Sequence, residues 1–183
     1  MDLDAAAGAI DSFLRALGHA PERDPSLAGT GSRVATMFAD ELLTGYAVNV
    51  DGLHPQSVFV GRSELVVVRD IPVVTTCPHH LVPSTGKAAL AFAPRDHLLG
   101  IGTVARVIDA FARRLSLQEE IGQRVVAAFE KHLAPRWVAC RIVLSHACMT
   151  TRREGAAGAT VETLAFAGDV EEAIVHSALG VGG

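Results

Sequence analysis

Two short clusters of cysteine and histidine stand out because together they supply the donor atoms of a metal site. The first, Cys-Pro-His-His, occupies residues 77–80, and the second, His-Ala-Cys, occupies residues 146–148, in a chain with only three cysteines. Two thiolates and an imidazole are a common donor set for Zn²⁺, and three protein ligands leave a fourth tetrahedral position open. A structural zinc site normally has four protein ligands. The clusters therefore predict a catalytic zinc site around Cys77 and Cys148.

Either cysteine taken alone is more simply interpreted as a small buried apolar side chain. The neighbouring histidines argue against that interpretation for Cys77 and Cys148. Cys140, which lies among Val and Ile, keeps it as a predicted core residue. The remaining histidines have no ligand-like neighbours and are predicted to lie at the surface: His19, His54, His97, His132 and His176.

Composition sets the class of protein. The chain has 183 residues, 49% of them hydrophobic and 20% charged, which is the size of one ordinary domain. Its net charge is −4 and its basic residues form no run, so we expect neither nucleic-acid nor membrane binding. An acidic N-terminus and the absence of a long apolar stretch predict neither a signal peptide nor a membrane span. An odd number of cysteines favours reduced thiols and a cytoplasmic location.

The elements that position these clusters follow from hydrophobic periodicity. Two helices are predicted first, at residues 5–17 and 33–43, the second capped by Ser32 or Thr30. The β-branched run at residues 65–76 predicts a strand with a bend near Pro72. The later elements are a turn at 84–86, a strand at 88–93, helices at 104–114 and 117–133, strands at 137–144 and 160–166, and a short helix at 170–179.

This order predicts an α+β fold, in which a helix pair covers one face of an antiparallel four-stranded sheet. We expect an N-terminal helical segment at residues 1–57 and a catalytic domain, one structural unit, at residues 58–183. The two open edges of the sheet predict a homo-oligomer, because unpaired strand edges favour association.

Strand geometry predicts how the two clusters meet. Alternation along the strand from residue 137 puts His146 and Cys148 on the same face as its apolar residues. The proline after Cys77 should break the preceding strand, so that Cys77 and His80 converge on one point. His79 is then directed towards whatever lies beside the metal.

Several further pieces match one known family in order and spacing: Val68-Arg69-Asp70-Ile71, Cys77-x-His79-His80, Gly86-Lys87, Gly100-Ile101 with Arg106, Phe111-Ala112-Arg113-Arg114-Leu115, Gln118-Glu119, and His146-x-Cys148-Met149 with Arg152. On these pieces the chain resembles GTP cyclohydrolase I from about Arg33 to Gly168. The resemblance implies the tunnelling fold, in the order ββααββ, and a toroidal decamer with its sites between subunits. It also implies Zn²⁺ as cofactor and a guanine nucleotide as the small-molecule substrate.

The resemblance also implies roles for individual residues. Cys77, His80 and Cys148 are the implied zinc ligands. His79 is the implied proton donor or acceptor at the imidazole ring of guanine, and His146 is the implied second acid/base. The implied reaction opens that ring at C8, releases formate and gives 7,8-dihydroneopterin triphosphate.

Substrate contacts are implied in the same way. Glu119, with Gln118 beside it, matches the residue that holds the guanine edge. Arg106 and Arg152 match phosphate-binding arginines, and Arg33 matches a third from a neighbouring subunit.

The chain departs from the family at the phosphate end of the site. Gly102 and Thr103 stand where family members usually have Ser-Lys ahead of Arg106, and residues 30–33 read Thr-Gly-Ser-Arg instead of Thr-Pro-x-Arg. In addition, Pro78, between Cys77 and His79, replaces the family's usual acid.

Three hypotheses follow. The first is an authentic GTP cyclohydrolase I. The second is a paralogous zinc hydrolase that acts on another guanine derivative or stops before the ribose rearrangement. The third is a non-enzymatic, zinc-bearing oligomeric binding protein.

Overall fold

The protein divides into two compact units in a computed structural model that describes residues 1–52, 65–151 and 157–181. The first unit is Met1–Thr44 and the second is Gly45–Gly183. The predicted boundary between residues 57 and 58 lies outside the described residues, so the proposed domain division stays a prediction. None of the described helices is long and apolar enough to cross a bilayer.

The first unit is helical, which confirms the two helices predicted there. Helix α1 (Leu3–Ala16) begins at Asp2, whose carboxylate accepts a hydrogen bond from the Ala5 amide at 2.9 Å. Helix α2 (Thr30–Met37) continues into one π-helical turn, Phe38–Leu42. The Gly31 amide donates to the Asp11 carboxylate at 3.2 Å, which ties the start of α2 to α1.

The predicted cap of the second helix is wrong. Helix α2 begins after Gly29, which has a φ of 73°, and no side chain caps it. Glycine adopts this left-handed conformation without steric cost, so it turns the chain into the helix. Thr30 already lies inside the helix, where its hydroxyl accepts a hydrogen bond from Arg33 Nη2 at 3.0 Å.

The second unit confirms the predicted α+β fold. Its four strands form one antiparallel sheet in the order β1-β2-β3-β4. Its elements are β1 (Val66–Thr76), β2 (Pro83–Ala93), α3 (Ile101–Ala112), α4 (Gln118–Leu133), β3 (Trp137–His146), α5 (Ala147–Thr150), β4 (Val161–Gly168) and α6 (Glu172–Leu179).

Alternating residues of β2 are buried on both faces of the sheet. Leu90 and Phe92 belong to the larger core, together with apolar residues of α3 and α4. Ala89 and Ala91 belong to a second, smaller core that includes Val175 of α6. A central strand covered on both faces reads as a continuous apolar run, and this explains the sequence of β2.

One detail predicted for the first hairpin is wrong. Residues 84–86 are not a turn, because they pair with β1 on one side and β3 on the other; the turn occupies residues 77–82. The irregularity predicted near Pro72 is confirmed. The register of β1 shifts just before this proline, between Val68 and Ile71, where Asp70 has a φ of 55°.

We expect Gly86→Ala to lower the free energy of unfolding by about 1–3 kcal/mol, since the protein must shift a backbone to make room. A Cβ at Gly86 would overlap the carbonyl oxygen of Val143 in β3. Urea unfolding measures the effect. The control is Gly8→Ala in the middle of α1, where a Cβ meets nothing within 4 Å and should add about 0.5–1 kcal/mol. An unchanged urea midpoint for Gly86→Ala would contradict the close approach of β2 and β3.

Candidate metal centre and adjacent cavity

The sheet brings the two Cys/His clusters to one end. Strand β2 pairs antiparallel with both β1 and β3. Strands β1 and β3 therefore run in the same direction, and their last residues lie at the same end of the sheet. Ser84, at the start of β2, pairs with Thr75 on one side and with His146 on the other. The segments that follow β1 and β3 therefore begin next to each other.

The turn after β1 holds the first two donor atoms. The Cys77 amide donates to the Val82 carbonyl at 3.0 Å, and the Leu81 amide donates to the Cys77 carbonyl at 2.9 Å. Leu81 adopts a left-handed φ of 55°, which closes the loop back onto β2. Within this closed loop, Cys77 Sγ and His80 Nδ1 lie 3.6 Å apart.

The third donor does not come from a strand, and the predicted alternation is wrong at this point. Strand β3 ends at His146, and Cys148 lies on the single helical turn α5. The helical rotation turns Cys148 towards the loop after β1. The donor atoms of Cys77, His80 and Cys148 all lie within 4.8 Å of one another.

These three residues fit zinc. With Zn–S bonds of about 2.3 Å and Zn–N bonds of about 2.0 Å, tetrahedral angles separate a sulfur and a nitrogen ligand by about 3.5 Å. The separation of Cys77 Sγ and His80 Nδ1 is 3.6 Å. In the described part of the chain, no fourth Cys, His, Asp or Glu joins the group. The donor set is therefore that of an open site, as in catalytic zinc proteins.

A cavity of about 270 Å³ lies beside this group, between the loop after β1, the start of α4 and α5. His79 is exposed and lines the cavity, and it stands outside the group of three donors. Exposed Glu119 also lines the cavity. The full lining is Thr75, Cys77, Pro78, His79, Ser84, Ser116, Leu117, Gln118, Glu119, His146, Cys148, Met149 and Val161.

A larger concavity of about 550 Å³ lies along the groove between α4 and β4, but it contains no cysteine or histidine among its described lining residues. Size alone would favour this groove as the site. Chemistry favours the smaller cavity, because metal donors and imidazoles converge there. Glu119 lines both, so the groove opens next to the smaller cavity.

His146 is held between two polar side chains. Its Nε2 lies 2.7 Å from Gln118 Oε1, and its Nδ1 lies 3.0 Å from Ser84 Oγ. Gln118 Nε2 donates to the carbonyls of Ile142 and Val161 at 2.9 and 3.0 Å. Carbonyls can only accept, so the amide of Gln118 has one possible orientation, with Oε1 towards His146. The neutral imidazole therefore carries its proton on Nε2 and accepts from the Ser84 hydroxyl at Nδ1.

The side chain of Gln118 was predicted beside the guanine edge, and the structure gives it this second task. It is 3% exposed and also contacts the Thr163 hydroxyl at 3.1 Å. Ser84 was not among the predicted site residues. Its partner His146 lies 62 residues away, and only the register between β2 and β3 connects them.

Cys140 is separate from the metal centre, as predicted. It is fully buried in the core of the sheet. Burial in apolar surroundings disfavours the thiolate and raises the pKa of Cys140 to about 12. None of the three cysteines forms a disulfide.

Two of the predicted phosphate-binding arginines, Arg106 and Arg33, are not among the described residues that line the cavity. Arg106 is on α3, where its Nη2 donates to the hydroxyl of Thr103 at 3.2 Å. Arg33 lies in the first unit and donates to the Ala28 carbonyl at 2.8 Å. Arg152 lies outside the described residues. Thr103, which stands where the family usually has lysine, is buried, and its hydroxyl orients Arg106.

Comparisons with known proteins agree with these observations. A family model described as GTP cyclohydrolase I matches residues 6–178. A protein named GTP cyclohydrolase 1 from Allorhizobium ampelinum is 37% identical over 168 residues, covering 91% of this chain and 83% of that protein. Another of the same name, from Bartonella henselae, is 38% identical over 167 residues, covering 90% and 80%.

A solved structure is also similar in fold. The crystal structure of the archaeosine synthase QueF-Like in the apo form has a TM-score of 0.51 and 19% identity, covering 61% of this chain and 100% of that chain. At this identity the likeness concerns the fold alone. Together with the family match, it confirms the predicted tunnelling fold.

We expect Gln118→Ala to lower the free energy of unfolding by about 1–3 kcal/mol, because it removes hydrogen bonds from two strand carbonyls and from His146 Nε2. Urea unfolding measures this change. The matched control is Glu119→Ala, the exposed neighbour on the same helix turn, which should alter stability by less than about 0.5 kcal/mol. Equal effects of the two substitutions would show that the buried network contributes nothing.

Zinc should protect two of the three thiols from a thiol-specific reagent. In the metal-free protein we expect Cys77 and Cys148 to react, while buried Cys140, with its pKa of about 12, stays unmodified until the protein unfolds. One equivalent of Zn²⁺ should suppress both reactions. Cys140→Ala should still bind one equivalent of zinc and Cys148→Ser should not. Zinc protection of all three or of none would contradict the site.

Proposed function

Because the chain belongs to the GTP cyclohydrolase I family, we propose that it is a zinc-dependent hydrolase that opens the imidazole ring of GTP. Attack at C8 and a second hydrolysis release formate, and rearrangement of the ribose gives 7,8-dihydroneopterin triphosphate. One observation carries the proposal. The donor atoms of Cys77, His80 and Cys148 adjoin a single cavity that His79 and His146 also line.

The residues around this cavity divide the chemistry between them. When bound by Cys77, His80 and Cys148, zinc supplies Lewis acidity and lowers the pKa of water in the site to near 7. His79, exposed on the wall and outside the donor group, protonates the ring nitrogen and makes C8 electrophilic. His146 acts as the second acid/base. Its Nε2–H is held by Gln118, so Nδ1, which accepts from the Ser84 hydroxyl in the free protein, is the nitrogen that takes up a proton.

Glu119 selects the base. Its carboxylate is exposed on the cavity wall and can accept hydrogen bonds from both N1–H and the 2-amino group of guanine. Adenine has no N1–H and no 2-amino group, so it would leave the carboxylate unpaired. The cavity of about 270 Å³ is close to the lower limit of roughly 300 Å³ for small-molecule sites. It therefore suits the base, and the triphosphate must extend beyond it.

The triphosphate would be bound by arginine side chains. We assign Arg106 and Arg152 to this task, with Arg33 from a neighbouring subunit. Arg106 is held by the Thr103 hydroxyl, which fixes the direction of its guanidinium group. A charge-assisted hydrogen bond to phosphate contributes about 1.5–3 kcal/mol.

We also propose a homo-oligomer, a decamer with its sites between subunits, located in the cytoplasm. Strands β1 and β4 are the two edges of the sheet, and both lack a partner strand among the described residues. Apolar side chains near these edges are exposed, including Leu65 and Phe166. Unpaired edges with exposed apolar residues favour pairing between subunits. Three cysteines without a disulfide suit a reducing compartment.

A second candidate is a hydrolase that acts on a guanine derivative with fewer phosphates or stops before the ribose rearrangement. The observation that favours it concerns Gly102 and Thr103. Gly102 offers no side chain, and Thr103 is buried against Arg106. The family's lysine has no equivalent at this end of α3. Loss of one cation weakens triphosphate binding more than it weakens binding of guanosine.

The proposed function is tested by incubating the zinc-loaded protein with GTP, GDP, GMP and guanosine. Formate release and pterin fluorescence are followed separately. Formate and pterin from GTP alone are expected. Formate without pterin, or turnover only of a less phosphorylated guanine, would favour the second candidate.

His79→Ala is the matched variant in this assay. Because His79 lies outside the donor group, we expect the variant to keep its zinc and lose formate release by about 10²–10⁴-fold. Zinc content is measured on the same sample. Formate release by the variant at the wild-type rate would remove His79 from the mechanism. If the wild-type protein released no formate from any of the four substrates, the non-enzymatic binding protein would be the remaining hypothesis.

A further inference from the structure

One buried hydroxyl on the cavity wall has no partner. Ser116 is 3% exposed and lines the cavity beside the metal centre. Its Oγ makes no hydrogen bond within the described residues. Buried polar atoms are nearly always hydrogen-bonded, because an unpaired one loses its hydration without compensation. The hydroxyl of Ser116 is therefore available to a group that enters the cavity.

The connection between α3 and α4 directs this side chain inward. Leu115 forms a β-bridge with Thr76, and Leu117 is extended, with φ −76° and ψ 146°. Successive side chains of an extended segment point to opposite sides. Leu115 and Leu117 are accordingly exposed, while Ser116 and Gln118 are buried. Leu117 lines the open side of the cavity together with Ser116 and Gln118. Gln118 uses its amide fully, and Ser116 is left with an unused donor.

We propose that Ser116 Oγ–H donates a hydrogen bond to the 6-oxo group of bound guanine, an inference that rests on the proposed function. A carboxylate can only accept, so Glu119 takes the two donors of the guanine edge, N1–H and the 2-amino group. The remaining group on that edge is the 6-oxo acceptor, which requires a donor. Ser116 stands three residues before Glu119 on the same cavity wall. Together the two residues hydrogen-bond all three polar groups of this edge of guanine.

The chain contains a matched control. Thr76 Oγ1 is also fully buried and has no hydrogen-bond partner among the described residues, and Thr76 bridges Leu115 next to Ser116. Thr76 does not belong to the described cavity lining. Any general effect of removing an unpaired buried hydroxyl is therefore shared by Ser116→Ala and Thr76→Val. An effect on guanine recognition belongs to Ser116 alone.

The experiment compares GTP with 6-thio-GTP, whose C=S group is a weaker acceptor at the same position. For Ser116→Ala we expect kcat/KM for formate release from GTP to fall about tenfold, the factor of one ordinary hydrogen bond. With 6-thio-GTP the loss should stay below about twofold, since that contact is already weak. Thr76→Val should leave the ratio of the two substrates unchanged. Ser116→Cys, similar in size but a poor donor, should behave like Ser116→Ala.

A second readout does not depend on turnover. Without nucleotide, Ser116→Ala and Thr76→Val should both shift the urea midpoint upward, because each removes an unpaired buried hydroxyl. With GTP added to the His79→Ala protein, the dissociation constant should rise only when Ser116→Ala is also present. If the wild-type protein is active on GTP and Ser116→Ala does not change the ratio of kcat/KM for GTP to that for 6-thio-GTP, the inference about Ser116 is wrong and the proposed function stands. Wild-type protein that neither binds GTP nor releases formate from it overturns the proposed function.

Discussion

The pairing of β2 with both β1 and β3 is the constraint on which the site depends. Because β2 is antiparallel to each neighbour, β1 and β3 end at the same end of the sheet. The segments that follow them carry the candidate metal ligands. Burial of Leu90 and Phe92 on one face and of Ala89 and Ala91 on the other keeps this strand in register. A slip by one residue would exchange the two faces and separate the donors.

The start of α4 connects the sheet to the chemistry in two different ways. Gln118 turns inward and satisfies two strand carbonyls and His146, so it stabilises the fold while it sets the tautomer of the imidazole. Ser116 is buried as well, and its hydroxyl makes no hydrogen bond with the described residues. An unpaired donor at a cavity wall reduces stability and favours a ligand that brings an acceptor, a compromise common at functional sites.

The two ends of the proposed site differ in how closely they follow the family. At the proposed ring-opening end, the donor atoms of Cys77, His80 and Cys148 lie beside a small cavity that His79 and His146 line. At the proposed phosphate end, Arg106 contacts Thr103, which stands where the family usually has lysine. Under the proposed function, separate groups bind the base and the phosphates, so the phosphate end can diverge while the hydrolytic chemistry is retained.

The sequence by itself determined the candidate metal ligands and the order of elements. Thiolates and imidazoles at residues 77–80 and 146–148 are ligand types that suit zinc, and the periodicity of apolar residues predicted the α+β order. Only the tertiary structure decided that residues 84–86 are strand, that Cys148 lies on a helical turn, and that Gln118 is buried against His146. Each of these depends on partners distant in the chain, and backbone and amide groups removed from water must pair with whatever the fold places beside them.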